Sequence, residues 1–172
     1  MNEGFAGPYD QAEEPAAIEA VRPVAAVEPV PVANANAAPA PIGRILVADD
    51  EPFFAEALAD MLTDEGFGVV GIVADGAQAI QATRELRPDV ILMDLRMPVM
   101  DGIEAARAIV AEWPLVQVLM LSAYEETALR QEAAGKGVYC YLVKGCPPEM
   151  VLQMVRKALE HRSMLMRRAE PA

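Results

Sequence analysis

Residues 91–102, ILMDLRMPVMDG, open with apolar side chains suited to a sheet interior and then set Asp94 where the chain leaves that interior. An aspartate at a strand exit is usually a helix cap or a loop residue, because those positions favour Asp. Its meaning here depends on what stands at the ends of the other strands.

From Ile42 onward, short apolar runs rich in β-branched residues alternate with longer stretches of helical period. The runs are RILVAD (44–49), FGVVGIVA (67–74), DVILMD (89–94), VQVLMLSA (116–123) and VYCYLVK (138–144). Such alternation is the pattern of βαβ units and a parallel sheet, and continuously apolar strands suit a sheet covered by helices on both faces. The expectation is an α/β fold with five parallel strands in the order 2-1-3-4-5. Between the first two strands, Phe53, Ala57 and Met61 form one i, i+4 ridge and Phe54, Leu58 and Leu62 its neighbour. Pro52 suits the first turn of that helix and Gly66 its exit. Further helices are expected near 76–87, after Asp101 as N-cap, and near 124–134. The last helix carries Met150, Met154 and Ala158 beside Val151, Val155 and Leu159.

Parallel strands all point the same way, so the residues closing them share one edge. Those residues are Asp49, Asp50 and Glu51 after strand 1, Asp94 after strand 3, Ser122 after strand 4 and Lys144 after strand 5. In a 2-1-3-4-5 sheet the ends of strands 1 and 3 flank the topological switch point, where open α/β sheets bind ligands. Like charges a few ångströms apart raise one another's pKa and destabilise the fold unless a cation neutralises them. Lys144 supplies one positive charge, and an all-oxygen donor set suits Mg²⁺ or Mn²⁺ over zinc. A carboxylate nucleophile, a hard cation, an ammonium and a hydroxyl are the parts needed to accept a phosphoryl group and form an aspartyl phosphate.

Composition bounds the rest. The 172 residues suffice for one domain with tails, and a formal net charge of −12 would repel nucleic-acid phosphates. Direct nucleic-acid binding is therefore not expected. Cys140, Cys146 and the lone His161 cannot complete a four-ligand zinc site, so the cysteines read as free thiols. His161, among Arg156, Lys157 and Arg162, reads as part of a solvated basic helix terminus. No apolar run approaches the roughly 18 residues of a membrane span, and the acidic N-terminus is unlike a secretory signal. A cytoplasmic location is the expectation. Residues 1–41, rich in Ala, Pro, Glu and Val, read as a flexible leader, either an inert solubilising tail or a tether or docking segment.

The motifs ILVADDE, VILMDLRMPVMDG, VLMLSAY and YLVK, in that order across about Gly43 to Arg162, resemble the receiver domains of two-component response regulators. The resemblance implies a flavodoxin-like domain over 42–162, with 163–172 as a short tail. It implies Asp94 as phosphoacceptor and a metal ligand, Asp50 as a direct metal ligand, and Asp49 as a ligand largely through water. The main-chain carbonyl of Arg96 completes the protein's share of the metal shell, and Lys144 binds the phosphoryl group. Ser122 and Tyr141 match the switch pair, though Tyr141 also suits ordinary packing on the neighbouring helix. Two positions depart from the common pattern: Cys140 stands where the family often has glycine, and Gly145 follows the lysine where proline is frequent. Arg96 and Tyr124 fall where the family tunes the lifetime of the phosphoryl group. The resemblance also implies a histidine kinase or phosphotransfer protein as donor, docking near the first helix with Phe53 or Phe54 as candidates, although core packing is the expected role for both.

Residues 163–172 are too few for a helix-turn-helix effector, so output is expected through an unknown downstream protein, or through a phosphorylation-dependent dimer. The chain would assist its own phosphoryl transfer and hydrolysis without being a turnover enzyme. Two alternatives are the receiver half of a DNA-binding regulator and a phosphatase of similar topology. The phosphatase would commonly carry a second aspartate two residues after the nucleophile, where this chain has Arg96.

Overall fold

The computed structural model describes residues 40–123 and 138–169. Five strands, β1 (Arg44–Ala48), β2 (Gly68–Val73), β3 (Val90–Asp94), β4 (Gln117–Ser122) and β5 (Val138–Val143), form one parallel sheet in the order β2-β1-β3-β4-β5. Four helices are described: α1 (Pro52–Asp64), α2 (Gly76–Leu86), α3 (Gly102–Glu112) and α4 (Pro148–Ala169). The helix expected near 124–134 and Tyr124 lie outside the described residues.

Alternate residues of each central strand serve opposite faces of the sheet. Leu46, Ile91, Met93 and Met120 face a core closed by Ala79 of α2 and Ile103, Ala106 and Ile109 of α3. Ile45, Val47, Leu92 and Leu121 face the other, closed by Leu58 and Leu62 of α1 and Val151 and Val155 of α4. β1, β3 and β4 are thus covered on both sides, which explains why their sequences run apolar without alternation.

Local signals set the helix ends. Pro52 opens α1, and Gly66 leaves it at φ +85°, a left-handed conformation that glycine adopts without a Cβ penalty. The Asp101 carboxylate caps α3 by accepting from the Glu104 N–H at 2.8 Å, and Asp75 caps α2 by accepting from Gln78. The buried stripe of α1 is Ala55, Leu58, Ala59 and Leu62. Of the ridge Phe53–Ala57–Met61, only Met61 packs on the core, while Phe53 is 87% exposed. Periodicity placed two adjacent ridges on the helix but did not tell which one the sheet would cover. On α4, likewise, Val151, Val155 and Ala158 are buried, whereas Met150 is exposed.

α4 runs through to Ala169, so residues 163–169 continue the helix. His161 is therefore mid-helix and not a solvated terminus. Its Nδ1 lies 2.8 Å from Oε1 of the buried Gln117, and its ring packs at a tilt against Tyr139 with centroids 5.3 Å apart. Gln117 donates through Nε2 to the Leu115 carbonyl, which leaves Oε1 as the acceptor and puts the proton on Nδ1. The contact ties α4 to the start of β4. Replacing His161 by alanine strands a buried amide oxygen and removes a ring contact, so a loss of about 1–3 kcal/mol is expected, read as a lower urea midpoint. An unchanged midpoint would mean that Gln117 finds water there.

Candidate functional site

The C-terminal edge of the sheet gathers the polar residues. Asp49 follows β1 directly, Asp94 ends β3, Ser122 ends β4 and Lys144 follows β5. The ladder continues past the strands: the Leu95 N–H donates to the Leu121 carbonyl and the Lys144 N–H to the Ser122 carbonyl, at 2.9 and 2.7 Å. Main-chain bonds therefore hold the segments carrying Asp94, Ser122 and Lys144 side by side. Asp49, Asp94 and Ser122 are buried, and Asp50 is exposed.

Lys144 is the hub. Its Nζ donates to Asp49 Oδ1 at 3.1 Å, Glu51 Oε1 at 2.9 Å and Asp94 Oδ2 at 3.1 Å. It lies nearer still, 2.8 Å, to Asp49 Oδ2, but that oxygen makes no hydrogen bond although it is fully buried. The closer contact is an ion contact out of line with an N–H bond, and the bond through Oδ1 is the directional one. The Phe54 ring lies 4.8 Å below the same ammonium and covers it on the α1 side. Burial alone would lower the lysine's pKa, yet the three carboxylates outweigh it and hold the group above its ordinary range. Asp49 shows the opposite balance: burial raises its carboxyl above the usual value, although Lys144 and the Glu51 N–H pull it down.

Asp49, Asp50 and Asp94 each offer an oxygen within 4.8 Å of the others. All donors are carboxylate oxygens, which suits a hard divalent cation. The buried Oδ2 of Asp49 fits the same demand, since its charge lacks a hydrogen-bonding partner. Arg96 sits two residues beyond Asp94 in the β3–α3 loop, with its side chain exposed. Val99 in that loop adopts φ +66°, unusual for a β-branched residue. Gly102, at the loop's end, donates to the Leu95 carbonyl, and a Cβ there would overlap the Asp94 carbonyl. The loop folds back against the strand exit only because residue 102 has no side chain.

Of the residues singled out in the sequence, Asp49, Asp50, Asp94 and Lys144 meet directly, and Ser122 ends the strand beside them. Tyr141 is half-buried and packs with the core on the α2–α3 side. Cys140 faces the other core, and burial pushes its thiol up to about 11. Both cysteines are free. Glu51 had a place in the acidic run but no role, and its bond to Lys144 supplies one. The contacts of Phe54 with Lys144 and of Gly102 with Asp94 had no signal at all, because each joins segments distant in sequence or depends on close backbone approach.

The sheet order, the acidic crevice at its switch point and the bridging lysine define a doubly wound α/β module built around a buried carboxylate. The model of the response regulator receiver domain matches residues 45–156, and the chain belongs to that family. It is 33% identical over 114 residues to the chemotaxis protein CheY of Thermotoga maritima, covering 66% of this chain and 95% of that one. It is 35% identical to the transcriptional regulatory protein LnrK of Bacillus subtilis, covering 65% of this chain but 51% of LnrK. The chain thus matches about half of LnrK's length. Among solved structures, a CheX–CheY–BeF₃–Mg²⁺ complex from Borrelia burgdorferi aligns with TM-score 0.63 and 30% identity, over 66% of this chain and 87% of that one.

Proposed function

We propose that this receiver accepts a phosphoryl group on Asp94 and passes the change to a partner by altered binding. The observation that supports this best is the Lys144 ammonium bridging Asp49 and Asp94 in a crevice whose third carboxylate, Asp50, lies open to solvent. Asp94 Oδ attacks phosphorus, forming the acyl–phosphate bond as the donor's bond to phosphorus breaks. Asp94 Oδ2 already accepts from Lys144, so the ammonium stands where charge on the equatorial phosphoryl oxygens develops. Asp49, Asp50 and Asp94, with the main-chain carbonyl of Arg96, would hold Mg²⁺ or Mn²⁺, which would supply charge neutralisation for the phosphoryl group and for the crowded carboxylates. The Ser122 hydroxyl donates to the added group, and Tyr141 occupies the space it leaves, remodelling the surface around β5.

The donor is a histidine kinase or phosphotransfer protein that meets the exposed Phe53 beside the crevice. Residues 42–162 form the signalling unit, which acts by binding and not by turnover on outside substrates. A second reading, the receiver half of a DNA-binding regulator, draws support from the half-length match to LnrK. Operator retention by the natural full-length gene product would decide for it.

Incubation with a small phosphodonor is expected to add one phosphoryl mass per chain, stable in acid and labile in base, only when Mg²⁺ or Mn²⁺ is present. An adduct formed equally in chelator, or mapped to a residue other than Asp94, would remove the basis of this reading.

A further inference from the structure

Away from the crevice, α4 carries an unusual local charge. Within a chain of net charge −12, residues 156–168 hold Arg156, Lys157, Arg162, Arg167 and Arg168 against Glu160 alone. Arg156 is engaged by Glu65 at 2.8 Å and Arg162 by Asp89 at 3.1 Å. Among the described residues no carboxylate pairs with Lys157, Arg167 or Arg168. The same stretch borders an open groove of about 690 Å³ lined by Leu159, Ile42, Met164 and Arg167, with Glu160 and the Glu65-paired Arg156 also on its wall. Ile42 and Met164 are 53% and 47% exposed, so apolar and cationic surface lie side by side and uncovered.

Ile42 ties the groove to the N-terminal segment. Pro41 and Ile42 are the residues by which the N-terminal segment joins the domain, and Ile42 is itself part of the groove wall. Residues 1–39 carry Glu3, Asp10, Glu13, Glu14, Glu19 and Glu28 against a single Arg22. Their last stretch, VEPVPVANANAAPA (27–40), supplies Val30 and Val32 close to Glu28. Extended chain rises about 3.1 Å per residue in polyproline II form, so Glu28 can reach any point along this face of α4. Opposite net charge, apolar side chains beside the acid and attachment at the groove's own wall converge. We infer that the acidic N-terminal segment docks within the same chain on the groove of α4, with Glu28 toward Arg167 and the valines over Leu159 and Met164. Tethering gives the segment a high effective concentration there, so modest contacts suffice. The inference is independent of phosphoryl acceptance at Asp94.

A zero-length carbodiimide cross-link in the full chain tests it, because the chain has only three lysines, Lys136, Lys144 and Lys157. Lys157 lies one helical turn before Glu160, which lines the groove. The expected product joins an acidic residue of 1–39 to Lys157 within one chain, in yield independent of protein concentration. Joining Arg167→Glu with Arg168→Glu, or raising salt to about 0.5 M, should cut that yield roughly fivefold. Equal yield in the charge-reversed chain, a preference for Lys144, or products that join two chains would each overturn the inference. Circular dichroism of the variant confirms that a lost cross-link does not come from a lost helix.

Discussion

Asp94→Ala is expected to give a folded protein that takes up no phosphoryl group from a small donor under conditions that fully label the parent. The loss should be complete because no neighbour can take over. Asp49 is buried and held by both Lys144 and the Glu51 N–H. Asp50 is exposed at the crevice mouth without the lysine beside it. The fold should survive for an electrostatic reason. Removing Asp94 takes one buried negative charge from beside Asp49, while Lys144 keeps Asp49 and Glu51 as partners. The melting temperature in chelator is accordingly expected to match or exceed the parent's. Intact mass and a thermal melt on the same samples separate the two effects. Parent-level labelling of a folded Asp94→Ala protein would move the acceptor elsewhere.

That separation rests on geometry that was only partly legible in the sequence. The strand order and the shared edge followed from apolar runs alternating with helical stretches, because parallel strands must end together. Asp49, Asp94 and Lys144 were readable for the same reason: each sits at a strand exit, so backbone direction alone brings them into one crevice. Asp101 was readable because N-capping is a local bond over three residues. What one chain could not reveal was contact between elements. Two adjacent apolar ridges on α1 are equivalent in pattern, and the sheet's covering of Leu58 and Leu62 in preference to Phe53 and Ala57 depends on how the helix rolls onto it. His161 looked like part of a charged helix end because its partner, Gln117, is 44 residues away at the start of another strand. The role of Gly102 was hidden similarly: the reason for a missing side chain is an approach by the Asp94 carbonyl, which only the folded loop displays.

Lys144→Ala is expected to have the second large effect, on stability as well as labelling. The ammonium is the shared partner of Asp49, Glu51 and Asp94, and its side chain is only 10% exposed. Its removal leaves two buried carboxylates facing each other, with exposed Glu51 and Asp50 free to be solvated. Breaking a buried pair by deleting one partner costs about 3–5 kcal/mol; the open mouth of this crevice places the expected loss near the lower end. The pH dependence has a definite sign. Asp49's carboxyl is already raised by burial, and Lys144, together with the Glu51 N–H, pulls it back down. A carboxyl with a raised folded-state pKa contributes stability that is present below its unfolded pKa and lost as pH rises through the folded one. Without Lys144 that folded value climbs further, so the variant's deficit should be largest at neutral pH and shrink on acidification toward the carboxylate range. Mg²⁺ should restore part of the lost stability at neutral pH, because the same oxygens then have a cation to share. Thermal melts across pH, with and without Mg²⁺, check both signs: a deficit that grows on acidification would mean that Asp49 does not depend on Lys144 for its charge.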